Sequence, residues 1–172
     1  GKRVGSLSDF TVFSFRGLQG VTTGEGGMVV TQSAELYDWL LLFRNNGIIT
    51  DPGRTTRWEG PWYFEMQELG YNYRMSELQA ALGLAQLKRA DFFLRRREEI
   101  ASIYHESFQG MKTLTVPRVP DGVRPAWQMY VLGLRLERLK TGRREIYEAI
   151  RAENIGVEVR FPPVFLQPYF VW

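Results

Sequence analysis

The chain has 172 residues, 44% of them hydrophobic and 24% charged, with a formal net charge of +3. Those proportions suit one globular domain, or two small pieces sharing a core, and exclude a chain dominated by disorder. Cysteine is absent and His105 is the one histidine, which removes disulfides, thiolate nucleophiles, thiolate zinc sites and any histidine-rich metal centre.

From the start, GKRVGSLSDF carries no signal-peptide pattern, so a cytoplasmic protein is expected. Position 1 is Gly rather than Met, which hints at a processed, tagged or truncated chain. FTVFSF (10–15) reads as a short buried strand and MVVT (28–31) as a second. The Gly-rich segment between them makes a hairpin, or a backbone that approaches something closely. Ser33 is a good N-cap for a helix carrying Leu36, Trp39, Leu40 and Phe43, with Gly47 as its stop. WLLLF (39–43) is the densest apolar cluster, well short of the ~18 residues of a membrane span. Residues 48–70 are irregular and aromatic, a length of loop that is usually functional or mobile.

Ser76, Glu77, Leu78 and Gln79 match a capping box. They open a helix with Leu78, Ala81, Leu82 and Ala85 on one face. Small residues make it slim, so that another backbone can pack closely. The pattern resumes through Phe93, Ile100, Tyr104 and Phe108 to Gly110, with a bend at 89–92. Unbroken, residues 76–109 would span about 50 Å at roughly 1.5 Å per residue, so this helix is expected to link two layers or domains. Beyond it, TLTVP (113–117), WQMYVLGLRL (127–136) and VEVRF (157–161) read as strands. Thr141 caps a helix carrying Ile146, Ala149 and Ile150 that Gly156 stops. PPVFLQPYF (162–170) reads as an extended tail pinned by prolines.

Basic residues are dispersed. The one tight run, at 95–97, meets Glu98 and Glu99 at once, so no stripe of one sign suits nucleic acid. TTGEGG (22–27) either cradles an anion with backbone N–H groups or is an ordinary turn between strands; it is not a P-loop, lacking the Gly-Lys-Ser/Thr end. KTG (140–142) matches one β-lactamase element without its companions. Asn72 and Arg74 precede a helix start, where an anion is favoured, or are a turn asparagine and a solvated arginine. His105 reads as structural or solvated.

The order of segments goes further. VGSLSDFTVFSF, TTGEGGMVV, GYNYRMSELQAALGLAQLKR and PPVFLQPYF, in that order over nearly the whole chain, resemble the DegT/StrS-type sugar aminotransferases. The resemblance implies an α/β fold, a fragment of a fold-type-I pyridoxal-phosphate (PLP) transferase. Residues 1–88 would be the C-terminal part of the large PLP-binding domain, with the start of the bridging helix. Residues 1–72 would supply late strands of a mainly parallel sheet. Residues 89–172 would be a truncated small C-terminal α/β domain. PLP would be the cofactor, with glutamate and a nucleotide-linked keto-sugar as substrates, in a homodimer with its active site at the interface. No metal is implied.

Carried over residue by residue, Ser14 matches the serine that hydrogen-bonds the cofactor phosphate. Asn72 matches the asparagine that reaches the phosphate of the neighbouring subunit's cofactor. Two departures stand out. Gln19 occupies the position of the Schiff-base lysine, and a carboxamide can neither form an imine with the PLP aldehyde nor shuttle the proton. None of the four lysines, Lys2, Lys88, Lys112 and Lys140, lies near it in sequence. Arg16 replaces the usual histidine, and Phe165 stands where many members have a histidine that approaches the sugar; both are candidate substrate contacts. The second departure is length: the family's N-terminal half, with the aromatic ring stacked on PLP and the Asp on the pyridine nitrogen, has no counterpart here. The expected function is therefore an aminotransferase portion altered at Gln19. The alternatives are a non-catalytic or split homologue acting through binding and assembly, and a lysine-less sugar dehydratase. A truncated chain should also expose apolar surface where the absent half would pack.

Overall fold

The computed structural model describes residues 2–17 and 20–170. Two compact units divide the chain. The first holds residues up to Glu99 together with Val119–Gln128; the second holds Ile100–Arg118 and residues from Met129 onward.

The first unit opens with a hairpin. Strands β1 (Phe10–Ser14) and β2 (Gly27–Thr31) pair antiparallel, from Phe10 opposite Thr31 to Ser14 opposite Gly27. A Cβ at Gly27 would come within 2.9 Å of the Phe13 carbonyl oxygen, so the close backbone approach expected of this segment is real. The strand is not buried: Phe10 and Val12 are exposed.

Helix α1 (Ala34–Arg44) starts where Ser33 Oγ accepts from Leu36 N at 3.2 Å. It ends through Asn46 and Gly47, both at positive φ (59° and 70°). Gly47 has no alternative, because a Cβ there would run into the Glu68 carbonyl oxygen. The reversal leads into β3 (Ile48–Ile49), which pairs antiparallel with β4 (Glu65–Met66).

The long helix is broken as expected. Helix α2 (Glu77–Leu87) is closed by a complete capping box at Ser76 and Gln79, and α3 (Ala90–Phe108) follows after Lys88 and Arg89. The face of α2 that packs is not the apolar one. Gln79, Ala80, Gly83 and Gln86 are buried or half-buried, while Leu78, Ala81, Leu82 and Ala85 are exposed, Leu78 to 85%. Gly83 meets Thr23, whose methyl lies 2.9 Å from where a Cβ would stand. In the same unit, Arg124 donates to both carboxylate oxygens of Glu98 at 2.6 and 3.0 Å and holds that carboxyl below its ordinary range.

The second unit is built on the later part of α3. Ala101 is buried, and Tyr104 packs edge-on against Tyr130 at 5.4 Å between ring centroids. Burial raises the Tyr130 phenol. Strands β5 (Leu114–Thr115) and β6 (Gly133–Leu134) form a short antiparallel pair. Helix α4 (Arg143–Ala152) follows.

Several sequence expectations are corrected. The three sheets among the described residues are separate antiparallel pairs, not a mainly parallel sheet. In 113–117 and 127–136 only two residues each find a ladder partner, and 157–161 finds none, because an apolar run becomes a strand only where another backbone satisfies its hydrogen bonds. The N-cap of α4 is Gly142, without a side-chain bond, rather than Thr141. The proline-pinned tail winds into two 3-10 turns, Val164–Leu166 and Pro168–Phe170. No helix among the described residues is long and apolar enough to cross a membrane.

Only Thr23, Gly47, Ile49, Gly83 and Ala101 are buried among the described residues, and two of these are glycines. The expected bare apolar surface is present, in Leu78, Leu84, Trp62 and Phe161 among others.

Candidate functional site

Residues 22–26, in the Gly-rich segment before β2, form a braced turn. Thr23 N donates to the Phe15 carbonyl at 2.9 Å, and Phe15 N donates to the Gly26 carbonyl at 2.8 Å. Thr22 Oγ1 donates to the Phe15 carbonyl at 3.0 Å and accepts from Gly24 N at 2.9 Å. Thr23, 5% exposed, donates its hydroxyl to the Glu25 carbonyl at 2.8 Å, so its buried polar atom is satisfied.

Gln79 fastens this turn to α2. Its Oε1 accepts from Ser76 N at 2.9 Å, closing the capping box, while its Nε2 donates to the Glu25 carbonyl at 2.9 Å. Sequence reasoning found Gln79 as a cap and missed it as a tether. Nothing local marks a bond spanning 54 positions.

Ser14 closes β1 beside this turn. Its Oγ accepts from Arg16 N at 3.4 Å, and its hydroxyl proton has no protein acceptor among the described residues. Arg16 pairs loosely with Glu25 at 3.5 Å, with both side chains largely in water, so the pair adds little stability. Gln19 lies outside the described residues.

Asn72 sits in a second structure of the same unit. The last carbonyls of a helix have no partner within it; here two of them are taken by an extended strand. Tyr71 N donates to the Phe43 carbonyl at 2.7 Å and Tyr73 N to the Arg44 carbonyl at 3.0 Å, while Asn46 N donates to the Tyr71 carbonyl at 2.8 Å. Asn45 and Asn72 thus face each other in an antiparallel bridge. Tyr71 and Tyr73 stack on one side of the strand, 4.9 Å apart and 6° from parallel. Alternation places Asn72 and Arg74 on the other. Arg74 Nη1 donates to Asn45 Oδ1 at 2.7 Å. The Asn72 carboxamide is exposed, with no partner among the described residues.

Phe165 belongs to the second unit, exposed to 71% in the turn Val164–Leu166. Among the described residues no group of three or more His, Cys, Asp or Glu side chains could hold a metal.

The long loop after β3 is organised by one carboxylate. Glu65 accepts from Thr56 N and Thr56 Oγ1, each at 2.7 Å, from Arg57 N at 3.1 Å, from Tyr63 OH at 2.9 Å and from Gln67 Nε2 at 3.3 Å. The Thr56 backbone bond, then the Thr56, Tyr63 and Gln67 side chains, lower its pKa to about 2. Trp58 stands edge-on to Tyr63 at 6.3 Å, and Trp62 is 75% exposed. The sequence marked this loop as irregular without exposing its hub.

These elements, in this order, match one family model over residues 1–171, described as the DegT/DnrJ/EryC1/StrS aminotransferase family. The chain belongs to that family. The spore coat polysaccharide biosynthesis protein SpsC of Bacillus subtilis is 41% identical over 170 residues, covering 98% of this chain and 44% of that protein. GDP-perosamine synthase of Escherichia coli O157:H7 is 35% identical, covering 99% of this chain and 43% of that protein. Among solved structures, Helicobacter pylori PseC, an aminotransferase of pseudoaminic acid biosynthesis, superposes with a TM-score of 0.86 at 30% identity, over 98% of this chain and 43% of that one. The chain thus spans less than half the length of these DegT/StrS-type relatives, in keeping with the C-terminal portion of the fold. The short antiparallel pairs are what that portion holds by itself.

Proposed function

We propose that this chain is the C-terminal portion of a PLP-dependent aminotransferase that moves an amino group from glutamate to a keto-sugar carried on a nucleotide, working in the cytoplasm as a homodimer. The observation that carries this reading is the pairing of two preformed features: the braced turn beside Ser14, and the strand that holds Asn72 with its carboxamide free. Each offers an uncommitted hydrogen-bond donor, the kind of group a phosphate accepts from. SpsC and GDP-perosamine synthase bear names from polysaccharide and nucleotide-sugar biosynthesis.

The residues fit the phosphate of PLP and do not fit its aldehyde. PLP supplies an electron sink for moving an amino group. Ser14 would donate its hydroxyl to the phosphate, and Asn72 would donate its amide N–H to the phosphate of the cofactor in the neighbouring subunit. Arg16, on the turn beside Ser14, and Phe165 would approach the substrate. Gln19 stands where the covalent anchor is needed, and a carboxamide nitrogen is neither nucleophilic nor basic at neutral pH. No step is therefore assigned to this chain in which the cofactor is bound covalently or a proton is carried by residue 19.

The test restores the missing group. Gln19→Lys, in a full-length version completed with an N-terminal half, is expected to bind PLP with the visible absorption of a lysine-bound cofactor. It should also form 2-oxoglutarate from glutamate when keto-sugar nucleotides are supplied. A folded protein with neither property would defeat the proposal.

A second reading, a non-catalytic homologue that acts through binding and assembly, is favoured by Gln19 itself and by the bare apolar face of α2. It predicts that the unaltered protein forms dimers without affinity for PLP. A lysine-less dehydration of the sugar has no such support, because glutamine offers no base near neutral pH.

A further inference from the structure

We propose that Asn45 is a positioning residue: its carboxamide oxygen holds the Arg74 guanidinium on the same face as the Asn72 carboxamide, so that the two side chains grip one phosphate together. This rests on the reading of Asn72 as a phosphate ligand and adds to it a second donor and the residue that aims that donor.

Three observations carry the assignment. Asn45 and Asn72 are paired across the bridge, so the residue that bonds Arg74 is fixed in register with the residue that would bond the phosphate. Arg74 lies two positions beyond Asn72 and reaches the Asn45 that faces Asn72 in the bridge, which puts both side chains beside Asn45, while the Tyr71 and Tyr73 rings stack on each other. Asn45 Oδ1 takes one guanidinium N–H at 2.7 Å. A guanidinium has five N–H donors, so the others stay available for an anion. A neutral acceptor is the right chemistry for such an anchor. It orients the cation without cancelling its charge, as a carboxylate would.

The capping contact of α1 at Asn45 is made by its backbone N–H, to the Leu42 carbonyl, and makes no use of the side chain. The side chain is free to serve Arg74.

The experiment titrates the isotope-labelled 172-residue chain with inorganic phosphate and follows the Asn72 carboxamide and the Arg74 side-chain N–H signals by NMR. In the parent chain both should move along one saturation curve. Asn45→Ala should weaken phosphate about three- to tenfold, the scale of one ordinary hydrogen bond, with little change in thermal midpoint. Asn45→Asp keeps an oxygen on Arg74 but brings a negative charge. It should bind phosphate weakly at neutral pH and recover as the introduced carboxylate is protonated, a dependence that a merely structural role would not produce. Equal affinity in the parent and Asn45→Ala would overturn the inference, as would an Asn72 response without Arg74; either leaves Asn72 as a phosphate ligand. No response from either residue overturns both assignments and leaves the glutamate-dependent test of Gln19→Lys untouched.

Discussion

The loop between β3 and β4 and the helix α2 solve the same problem in opposite ways. Neither sits in a conventional core. The loop closes on itself around Glu65, which takes five donors from four residues. Its polar groups satisfy one another and its shape needs nothing from outside. Helix α2 is secured on its narrow side, by Gly83 against Thr23 and Gln79 against Glu25, and leaves its leucines bare. Hydrogen bonds can finish a local structure alone, whereas apolar area is stabilising only when something covers it. The first region is fixed by its own hydrogen bonds, although Trp62 stays 75% exposed, and the second is fixed on one side and bare on the other.

The difference can be broken most severely at its tightest point. Gly83→Leu would drive a side chain into Thr23 and is expected to cost about 1–3 kcal/mol, the range for overpacking, read as a fall in the urea midpoint. A normal midpoint would mean that α2 is not held by this contact. Charging the open side should do the reverse. Leu78→Asp with Leu82→Asp is expected to leave the midpoint nearly unchanged and to reduce self-association in sedimentation. A parent chain that is already strictly monomeric would refute the claim that this face seeks a cover.

Gln79→Ala leaves the Ser76 cap on the backbone N–H of residue 79 but removes the reciprocal bond to Ser76 N and the tether to Glu25, and is expected to cost roughly 1 kcal/mol, the size of one net hydrogen bond. Gln79→Glu sharpens that result. It can still accept from Ser76 N but can no longer donate to the Glu25 carbonyl, so its own loss reports the tether and the difference between the two variants reports the capping bond. The smallest effect is local and depends on pH. The Glu65 carboxyl falls from 4.5 to about 2 through the Thr56, Tyr63 and Gln67 bonds. A carboxylate with a depressed pKa lends stability that is full above its unfolded value and disappears as pH drops through its folded one. Trp58 and Trp62 fluorescence should therefore hold steady down to about pH 4.5 and change between there and about pH 2. Glu65→Gln should abolish that transition. A transition that persists in the variant would place its origin in another carboxyl.

Much of this was legible because it is written in short-range chemistry. Ser33 and Ser76 are caps by side-chain type and position. Gly47 ends a helix because the next turn needs positive φ, and the break between α2 and α3 falls where the apolar spacing falters. The motifs that carry the family resemblance are equally local. What escaped depends on partners distant in sequence. The spacing shows that one face of α2 is apolar but not whether it is covered, and Leu78, Leu82 and Leu84 stay exposed. Residues 127–136 and 157–161 have strand-like composition, yet a ladder needs a second backbone, and only Gly133 and Leu134 obtain one. Nothing in the spacing singles out Asn45, and Gln79 is legible only as a capping residue. Their bonds to Arg74 and Glu25 span 29 and 54 positions, beyond any pattern of spacing.

The last turn of α1 carries one more consequence. A helix end frays readily where its last carbonyls are bonded only to water. Here the Phe43 and Arg44 carbonyls are held by the N–H groups of Tyr71 and Tyr73, so that turn cannot loosen without letting the strand go. Its opening and the release of Asn72 are one event. Amide protons at Tyr71 and Tyr73 should exchange at the rate of that shared opening, and whatever steadies Asn72 will lengthen the life of a helix end that it does not touch.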